Sequence, residues 1–256
     1  MNVEGIVTHS NDIDYMSIHR AALVRSALCL TTAKCRPSPT LFCFPKLESH
    51  PRHDTKKFEW IKSIESNHKK ITTEYLALQA HRNEMKVSSD MNDYKIQDKE
   101  HQLHQGHWDW ISYVTQGRRQ TDFAIHCPTT VEILESIPGF MTNVPFAYSF
   151  FSVLKPQSSI KAHSAPCNIR LRCRFPLIVP SDCGIRVGNV SRQWQEGQAL
   201  LFDDAFDHEV WHNGHKGDRV VLLFDIWHPD LVQDEREAIT EMFNDAKAKG
   251  WLSNDG

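Results

Sequence analysis

The stretch Asn168-Ile169-Arg170-Leu171-Arg172-Cys173-Arg174-Phe175 decides the fold expected for the second half of this chain. Its three arginines alternate with apolar residues, so an extended strand places the guanidinium groups on one face and the apolar side chains on the other. The arginine face is either a solvated basic surface or an inward face that meets anionic groups. In both cases a period of two predicts β structure.

Strand-like segments continue on both sides of this stretch. They are rich in Val, Ile, Leu and Phe, and turn residues such as Pro180-Ser181-Asp182 and Asn213-Gly214 separate them. The segments with this pattern are 146–154, 168–179, 184–187, 198–202 and 219–227. Short strands at this spacing are typical of a jelly roll or barrel and not of a parallel α/β sheet. We therefore expect a mainly β fold.

Helices are expected on both sides of the β segments. The spacing of apolar residues predicts helical structure within 57–81 and a closing amphipathic helix within 230–248. A short helix is expected over 131–137, with Thr129 and Thr130 as its caps.

We expect a single folded domain over residues 43–256. Residues 1–42 are predicted to form a weakly structured leader, and the polar stretch 84–106 a mobile loop or insertion. Within the domain we expect a helical part, a β core and a C-terminal helix, over 43–143, 144–229 and 230–248.

Composition places the chain among ordinary globular proteins. It has 256 residues, of which 40% are hydrophobic and 24% charged, and a net charge of -3, so nothing favours nucleic acid or an anionic membrane as a partner. Its seven cysteines are an odd number without a CxxC pair, which indicates reduced thiols. No segment reaches the roughly 18 apolar residues of a membrane span. We expect a soluble, cytoplasmic protein.

Two histidines are candidate metal ligands. His163 lies in the loop-like Lys161–Pro166, and His208 follows much later in Phe202–Trp211, with strand-like segments between them. Iron(II) in oxygenases is held by imidazole nitrogens and usually one carboxylate. The usual first element is His-x-Asp or His-x-Glu, but the third position here is Ala165, which cannot bind a metal. His163 alone is therefore a weak candidate, because a lone loop histidine is more often a surface or capping residue.

Arg219 strengthens the metal hypothesis. It opens an alternating strand and shares a face with Val221, Leu223 and Asp225. An arginine that faces an apolar interior is costly unless an anion meets it, and a guanidinium fork suits carboxylates. Two distant histidines followed by such an arginine indicate a non-haem iron site that also binds the dianion 2-oxoglutarate.

Several motifs, in order along the chain, closely resemble the aspartyl/asparaginyl β-hydroxylase family. They include Ser152-Val153-Leu154-Lys155-Pro156, Asn168-x-Arg170-Leu171-Arg172, Trp194-x-Glu196-Gly197, Phe202-Asp203-Asp204-x-Phe206-x-His208-Glu209-x-Trp211 and Asp225-Ile226-Trp227-His228-Pro229. Weaker similarity extends the match to about 44–248. The resemblance implies a double-stranded β-helix, a cupin-like jelly roll with flanking N- and C-terminal helices, and the use of iron(II), 2-oxoglutarate and oxygen.

The resemblance also implies roles for individual residues. His163 and His208 are expected to bind iron, in a family whose protein-hydroxylating members lack the carboxylate ligand. Arg219, assisted by Ser152, is expected to bind the distal carboxylate of 2-oxoglutarate. Arg172 is expected to bind the carboxylate nearer the metal.

The chain departs from the family at Arg174, where the protein-hydroxylating members have a histidine that helps to hold the cosubstrate. Arg174 is thus a candidate for the cosubstrate or for the substrate, and Arg170 is a second candidate for a substrate carboxylate. Nearby acids, Asp203, Asp204 and Asp207, are expected to have structural or orienting roles instead of ligating the metal directly.

These residues predict an oxygenase that hydroxylates an unactivated C–H bond while 2-oxoglutarate becomes succinate. The expected substrate is a small carboxylate-bearing compound, amino-acid-like or a natural-product intermediate. Alternatives are a peptidyl Asp/Asn β-hydroxylase, the same site used for halogenation, desaturation or ring closure, and a non-catalytic ligand-binding β-helix. The oligomeric state stays open.

Overall fold

A computed structural model of the chain describes residues 37–84 and 103–252. Most of the expected leader and most of the expected insertion lie outside these ranges. The helices are a 3-10 turn at Thr55–Lys57, then α1 (Trp60–Ser66), α2 (His68–Glu84), α3 (Thr121–His126), α4 (Pro128–Glu135) and α5 (Gln233–Ala248). The strands are β1 (His104–Gln105), β2 (Trp108–Thr115), β3 (Arg118–Arg119), β4 (Ser149–Leu154), β5 (Ser158–His163), β6 (Arg170–Ile178), β7 (Cys183–Val187), β8 (Val190–Gln193), β9 (Leu200–Phe202), β10 (His208–His212) and β11 (Arg219–Trp227).

The strands form two antiparallel sheets. The larger has the order β3-β2-β4-β11-β6-β9 and the smaller the order β1-β5-β10-β7-β8. Apolar side chains from both sheets, such as Leu154 and Leu223 from one and Ile160 and Val210 from the other, pack into a shared core between them. Two facing antiparallel sheets with these crossovers are a jelly roll, which confirms the mainly β, double-stranded β-helix prediction.

The helices pack on the outer face of the larger sheet. Strand β11 shows why, since its side chains alternate between the two faces. Val220, Leu222, Phe224 and Ile226 join the core that also contains residues of α2, α4 and α5. The other face of β11 carries Arg219 and points between the sheets, so the alternation that packs the helices also directs a charged group inward.

The prediction of a helical part over 43–143 is wrong for residues 104–119. The segment Trp108–Thr115 forms β2, which pairs along its length with β4. Its sequence, Trp-Asp-Trp-Ile-Ser-Tyr-Val-Thr, is rich in aromatic and β-branched residues, and such side chains pack well on a pleated sheet. The helical pattern of the preceding residues does not extend into it.

The helix after Pro128 is present, but its caps are not the predicted threonines. The carboxylate of Glu74, on α2, accepts hydrogen bonds from the backbone N–H groups of Thr129 and Thr130 at 2.8 Å and from the Thr130 hydroxyl at 2.6 Å. An anion at a helix N-terminus satisfies unpaired donors and complements the helix dipole. Glu74, which is distant in sequence, therefore caps the helix in place of local side chains. Its hydrogen bonds also connect α4 to α2.

Four cysteines within the described residues, Cys127, Cys167, Cys173 and Cys183, are buried thiols that form no disulfide. Burial raises the pKa of Cys127 and Cys167 to about 12. Within 37–84 and 103–252, the structure contains no helix that is both long enough and apolar enough to cross a membrane.

Candidate active site

Strand pairing brings the two candidate histidines together. His163 ends β5 and His208 begins β10, and the two residues are direct cross-strand partners in the antiparallel register. Directly opposed residues have neighbouring Cβ atoms. The ring centroids of His163 and His208 accordingly lie 4.2 Å apart. Two histidines that are distant in sequence thus become neighbours at the end of the β5–β10 pair.

In both imidazoles, one nitrogen forms a hydrogen bond with a backbone carbonyl. Nδ1 of His163 lies 2.7 Å from the Lys161 carbonyl oxygen, and Nδ1 of His208 lies 2.9 Å from that of Phe206. A carbonyl only accepts, so each Nδ1 is the protonated nitrogen and each Nε2 keeps its lone pair. Nε2 of His208 is buried and has no hydrogen-bond partner among the described residues. Such an arrangement orients histidines for metal ligation.

Both histidines are neutral at physiological pH. Burial, with Arg174 and Arg172 nearby, lowers the pKa of His163 to about 4. Burial, with His163 and Arg174 nearby, also lowers the pKa of His208 well below its ordinary value. Neutral imidazole is the form that binds a metal. The pair fits a divalent ion, and no third His, Cys, Asp or Glu joins it within the described ranges.

The first two arginines of β6 belong to a closed ionic network. Arg170 donates to Asp204 at 2.7 Å and lies 3.3 Å from Asp225. Arg172 contacts Asp225 through two nitrogens at 2.8 and 3.0 Å and lies 3.2 Å from Asp204. The two arginines therefore face two carboxylates, and their charges are balanced.

This network corrects two expectations. The arginine face is not a solvated basic surface, because Arg170 and Arg174 are buried. Arg170 is not available to a substrate carboxylate, because Asp204, Asp225 and the Phe146 carbonyl already accept from it or pair with it. The proposed contact of Arg172 with the metal-proximal carboxylate stays a prediction, and it would compete with Asp225.

The three acids near His208 have separate partners. Asp204 joins the arginine network, and Asp203 accepts from the Ser49 hydroxyl at 3.1 Å and from the Ala205 N–H at 2.9 Å. Asp207 pairs with Arg186 at 2.7 Å on the surface. These contacts agree with the structural or orienting roles expected for the three acids.

Arg174 and Arg219 differ from the paired arginines, because both are buried and neither has a carboxylate partner in the described part of the chain. Nη1 of Arg219 lies 3.4 Å from the Ser152 hydroxyl, which brings together the two residues expected to hold the distal carboxylate. Its Nε and Nη2, and the Nε and Nη1 of Arg174, have no hydrogen-bond acceptor within residues 37–84 and 103–252. These four buried nitrogens can donate to an anion that the described residues do not provide.

Aromatic residues complete the surroundings of the free arginines. The Arg219 guanidinium lies 6.0 Å from the ring centroid of Trp194, and that of Arg174 lies 5.7 Å from the ring centroid of Phe202. Trp108 donates its indole N–H to Ser152 at 2.8 Å. Trp108 was missed because its segment was predicted to be helical, and Trp194 because nothing local links it to Arg219.

Comparison with known proteins identifies the family of the chain. Residues 65–229 match the family described as Aspartyl/Asparaginyl beta-hydroxylase. Aspartate beta-hydroxylase domain-containing protein 2 of Xenopus tropicalis is 32% identical over 218 residues, which are 81% of this chain and 56% of that protein. The aspartyl/asparaginyl beta-hydroxylase of Homo sapiens is 32% identical over 182 residues, which are 71% of this chain and 23% of that protein. The chain thus spans about half of the first relative and about a quarter of the second.

Among solved structures, a prolyl-4-hydroxylase of Pseudomonas putida is 10% identical, with a TM-score of 0.36, and the match covers 66% of this chain and 98% of that one. A similarity this low adds nothing to the fold described above. The family match extends over most of the described residues, and it includes both histidines, the arginines of β6 and Arg219. The chain belongs to the aspartyl/asparaginyl β-hydroxylase family.

Proposed function

We propose that the protein is an iron(II)- and 2-oxoglutarate-dependent oxygenase whose metal is held by His163 and His208. The observation that carries the proposal is the cross-strand histidine pair, with ring centroids 4.2 Å apart and both Nδ1 atoms tied to backbone carbonyls. Two neutral imidazoles with free Nε2 lone pairs suit iron(II), and two ligands leave positions for cosubstrate and oxygen. The metal, when bound, supplies the activation of oxygen.

The remaining residues bind and orient the cosubstrate. Arg219 and Ser152 hold the distal carboxylate of 2-oxoglutarate, since the guanidinium has two unsatisfied nitrogens and the serine hydroxyl lies beside it. Burial lowers the pKa of Arg219 to about 10, which still leaves the group charged at neutral pH. Trp194 and Trp108 are buried beside Arg219 and Ser152, and apolar surroundings of this kind strengthen an ion pair.

The reaction we favour is hydroxylation of an unactivated C–H bond in a small carboxylate-bearing compound. An anionic substrate would suit Arg174, which has no carboxylate partner in the part of the chain that the structure describes. Hydroxylation of Asp or Asn in a peptide is the second candidate, and the names of the relatives favour it. Halogenation, desaturation, ring closure and ligand binding without turnover are outcomes that a product analysis separates.

The test is succinate formation from 2-oxoglutarate with added iron(II) under air, with a screen of carboxylates and acidic peptides and mass analysis of products. We expect succinate formation to fall to background in His163→Ala, His208→Ala and Arg219→Ala. His215→Ala is the matched control, because His215 is exposed in the turn between β10 and β11. Full turnover in all three site variants would exclude the assigned site.

A further inference from the structure

Arg174 is a buried cation that the paired network on its own strand leaves unbalanced. It follows Arg170 and Arg172 on the same face of β6, but Leu223 of β11 and Leu200 of β9 stand opposite it in the register. The arginine two positions before it meets Asp225 instead. Neither of its cross-strand neighbours can accept a hydrogen bond from its side chain.

Among the described residues between the sheets, two arginines have no carboxylate that balances their charge. Arg170 and Arg172 are balanced by Asp204 and Asp225, whereas Arg174 and Arg219 have no carboxylate within 4.0 Å among the described residues. An iron(II) ion and the 2-oxoglutarate dianion would cancel each other. An imidazole that ligates a metal through its lone pair is neutral, and Ala165 stands where a ligating carboxylate would add a negative charge. An uncompensated pair of charges in a dry interior is strongly unfavourable.

Arg174 lies at the metal end of the site. The guanidinium of Arg174 lies 5.7 Å from the centroid of the Phe202 ring, and that ring centroid lies 5.3 Å from the centroid of the His208 ring. The Nε and Nη1 of Arg174, unlike those of a flexible surface arginine, are buried and held beside the Phe202 ring. An anion bound there would lie near His208 and apart from an anion at Arg219, because Arg219 stands at the start of β11 and the cross-strand partner of Arg174 is Leu223, further along that strand.

We propose that Arg174 is the receptor for a carboxylate of the substrate, which binds while 2-oxoglutarate occupies Arg219. This inference rests on the proposed function and narrows the substrate to a compound with an acidic group close to the oxidised C–H bond. A charged guanidinium forms stronger, charge-assisted hydrogen bonds with a carboxylate than with the corresponding neutral amide. Arg174 is thus a specificity-determining residue.

The experiment uses acetate as a minimal carboxylate probe and acetamide as its neutral counterpart. Protein loaded with zinc(II), which supports no turnover, is saturated with 2-oxoglutarate and then titrated with each probe by calorimetry. We expect acetate to bind and acetamide not to bind. Arg174→Gln should weaken acetate binding by about tenfold or more, because charge-assisted hydrogen bonds are lost. Arg174→Lys, which keeps the charge, should recover part of the affinity.

Arg192→Gln is the matched control, since Arg192 is exposed on β8, and it should bind acetate like the wild type. Retained 2-oxoglutarate binding by Arg174→Gln shows that the variant is folded. Equal acetate binding by wild type and Arg174→Gln, or acetate binding only in the absence of 2-oxoglutarate, would overturn the inference; the second result would assign Arg174 to the cosubstrate. Failure of the wild type to bind 2-oxoglutarate would instead overturn the proposed function, and the inference with it.

Discussion

Arginines in two regions of strand β6 have opposite electrostatic surroundings. At the start of β6, Arg170 and Arg172 are enclosed by Asp204 and Asp225, while two residues later Arg174 has no partner in the described part of the chain. The paired region holds β6, β11 and the segment before His208 together. The unpaired region, with Arg219, keeps buried donors for anions. Paired charges here serve the fold, and unpaired ones are available for ligands.

The pairing partners explain the difference. Asp225 stands opposite Arg172 on β11, and Asp204 reaches the same group from the segment between β9 and β10. Leu223, one pleat along β11, stands opposite Arg174. The inward-facing residues of β11 here are Asp225 and Leu223. The strand register therefore places a carboxylate beside Arg172 and an aliphatic side chain beside Arg174.

The largest expected effect comes from removing the charge of one carboxylate in the paired region. Asp225→Asn should lower the free energy of unfolding by about 3–5 kcal/mol, because it leaves Arg170 and Arg172 with too little negative charge in a buried site. Urea denaturation of the metal-free protein measures this change. Asp207→Asn is the matched control, since its pair with Arg186 lies on the surface, and it should cost at most about 1 kcal/mol. Equal losses in the two variants would contradict the distinction between the regions.

In the unpaired region, Arg219→Gln should affect binding more than folding. We expect the Kd of 2-oxoglutarate for the zinc(II)-loaded protein to rise by about 100-fold, because a buried charge-assisted contact is removed. The free energy of unfolding should stay within about 1 kcal/mol of the wild type, since no ion pair is broken. Calorimetry and urea denaturation give the two values. Unchanged affinity in this variant would remove Arg219 from the cosubstrate site.

The neighbouring residues Asp203 and Asp204 have pKa values shifted in opposite directions. The comparison therefore also predicts how stability depends on pH. Burial raises the pKa of Asp203 from 3.8 to about 7, while for Asp204 the arginines outweigh burial and lower the pKa below its ordinary value. Between pH 4 and 7 the folded protein therefore holds a proton on Asp203 that the unfolded chain releases. Stability from this residue falls as pH rises through that window, by about 1.4 kcal/mol per pH unit.

Asp203→Asn should remove this decline, and urea denaturation at several pH values measures the difference between wild type and variant. The difference should level off from about one pH unit above the folded pKa of about 7, where Asp203 is ionised in both states. A wild-type profile parallel to that of the variant between pH 4 and 7 would show that Asp203 titrates as an ordinary carboxylate.

The smallest expected effect is a gain in stability. Arg174→Leu should raise the free energy of unfolding of the metal-free protein by about 1 kcal/mol, because a buried charge without a partner is replaced by an apolar group. The loss of its contact with Phe202 limits the gain. Arg172→Leu, two residues away, should destabilise by about 3–5 kcal/mol because it leaves Asp225 and Asp204 short of a cation. Equal losses in both variants, measured by urea denaturation, would mean that Arg174 has an unrecognised partner.

Much of the β core was predictable from local pattern. The alternation of apolar and polar residues in β6 and β11 gives both the strands and the faces that their arginines occupy. The segment Trp108–Thr115 was not predicted as a strand, because it was assigned to the helical part of the chain. The cap of α4 was also unpredictable, since Glu74 is remote in sequence from Thr129.

The sequence by itself determined a β-rich chain, an arginine-bearing face on β6 and β11, and His163 and His208 as the metal candidates, because residue type and a period of two are local properties. Only the tertiary structure decided that the two histidines are cross-strand partners and that Arg170 and Arg172 are neutralised while Arg174 and Arg219 are not. The physical reason is that pairing depends on strand register and on carboxylates brought from distant segments. Arginines that are equivalent in sequence pattern thereby acquire different electrostatic surroundings.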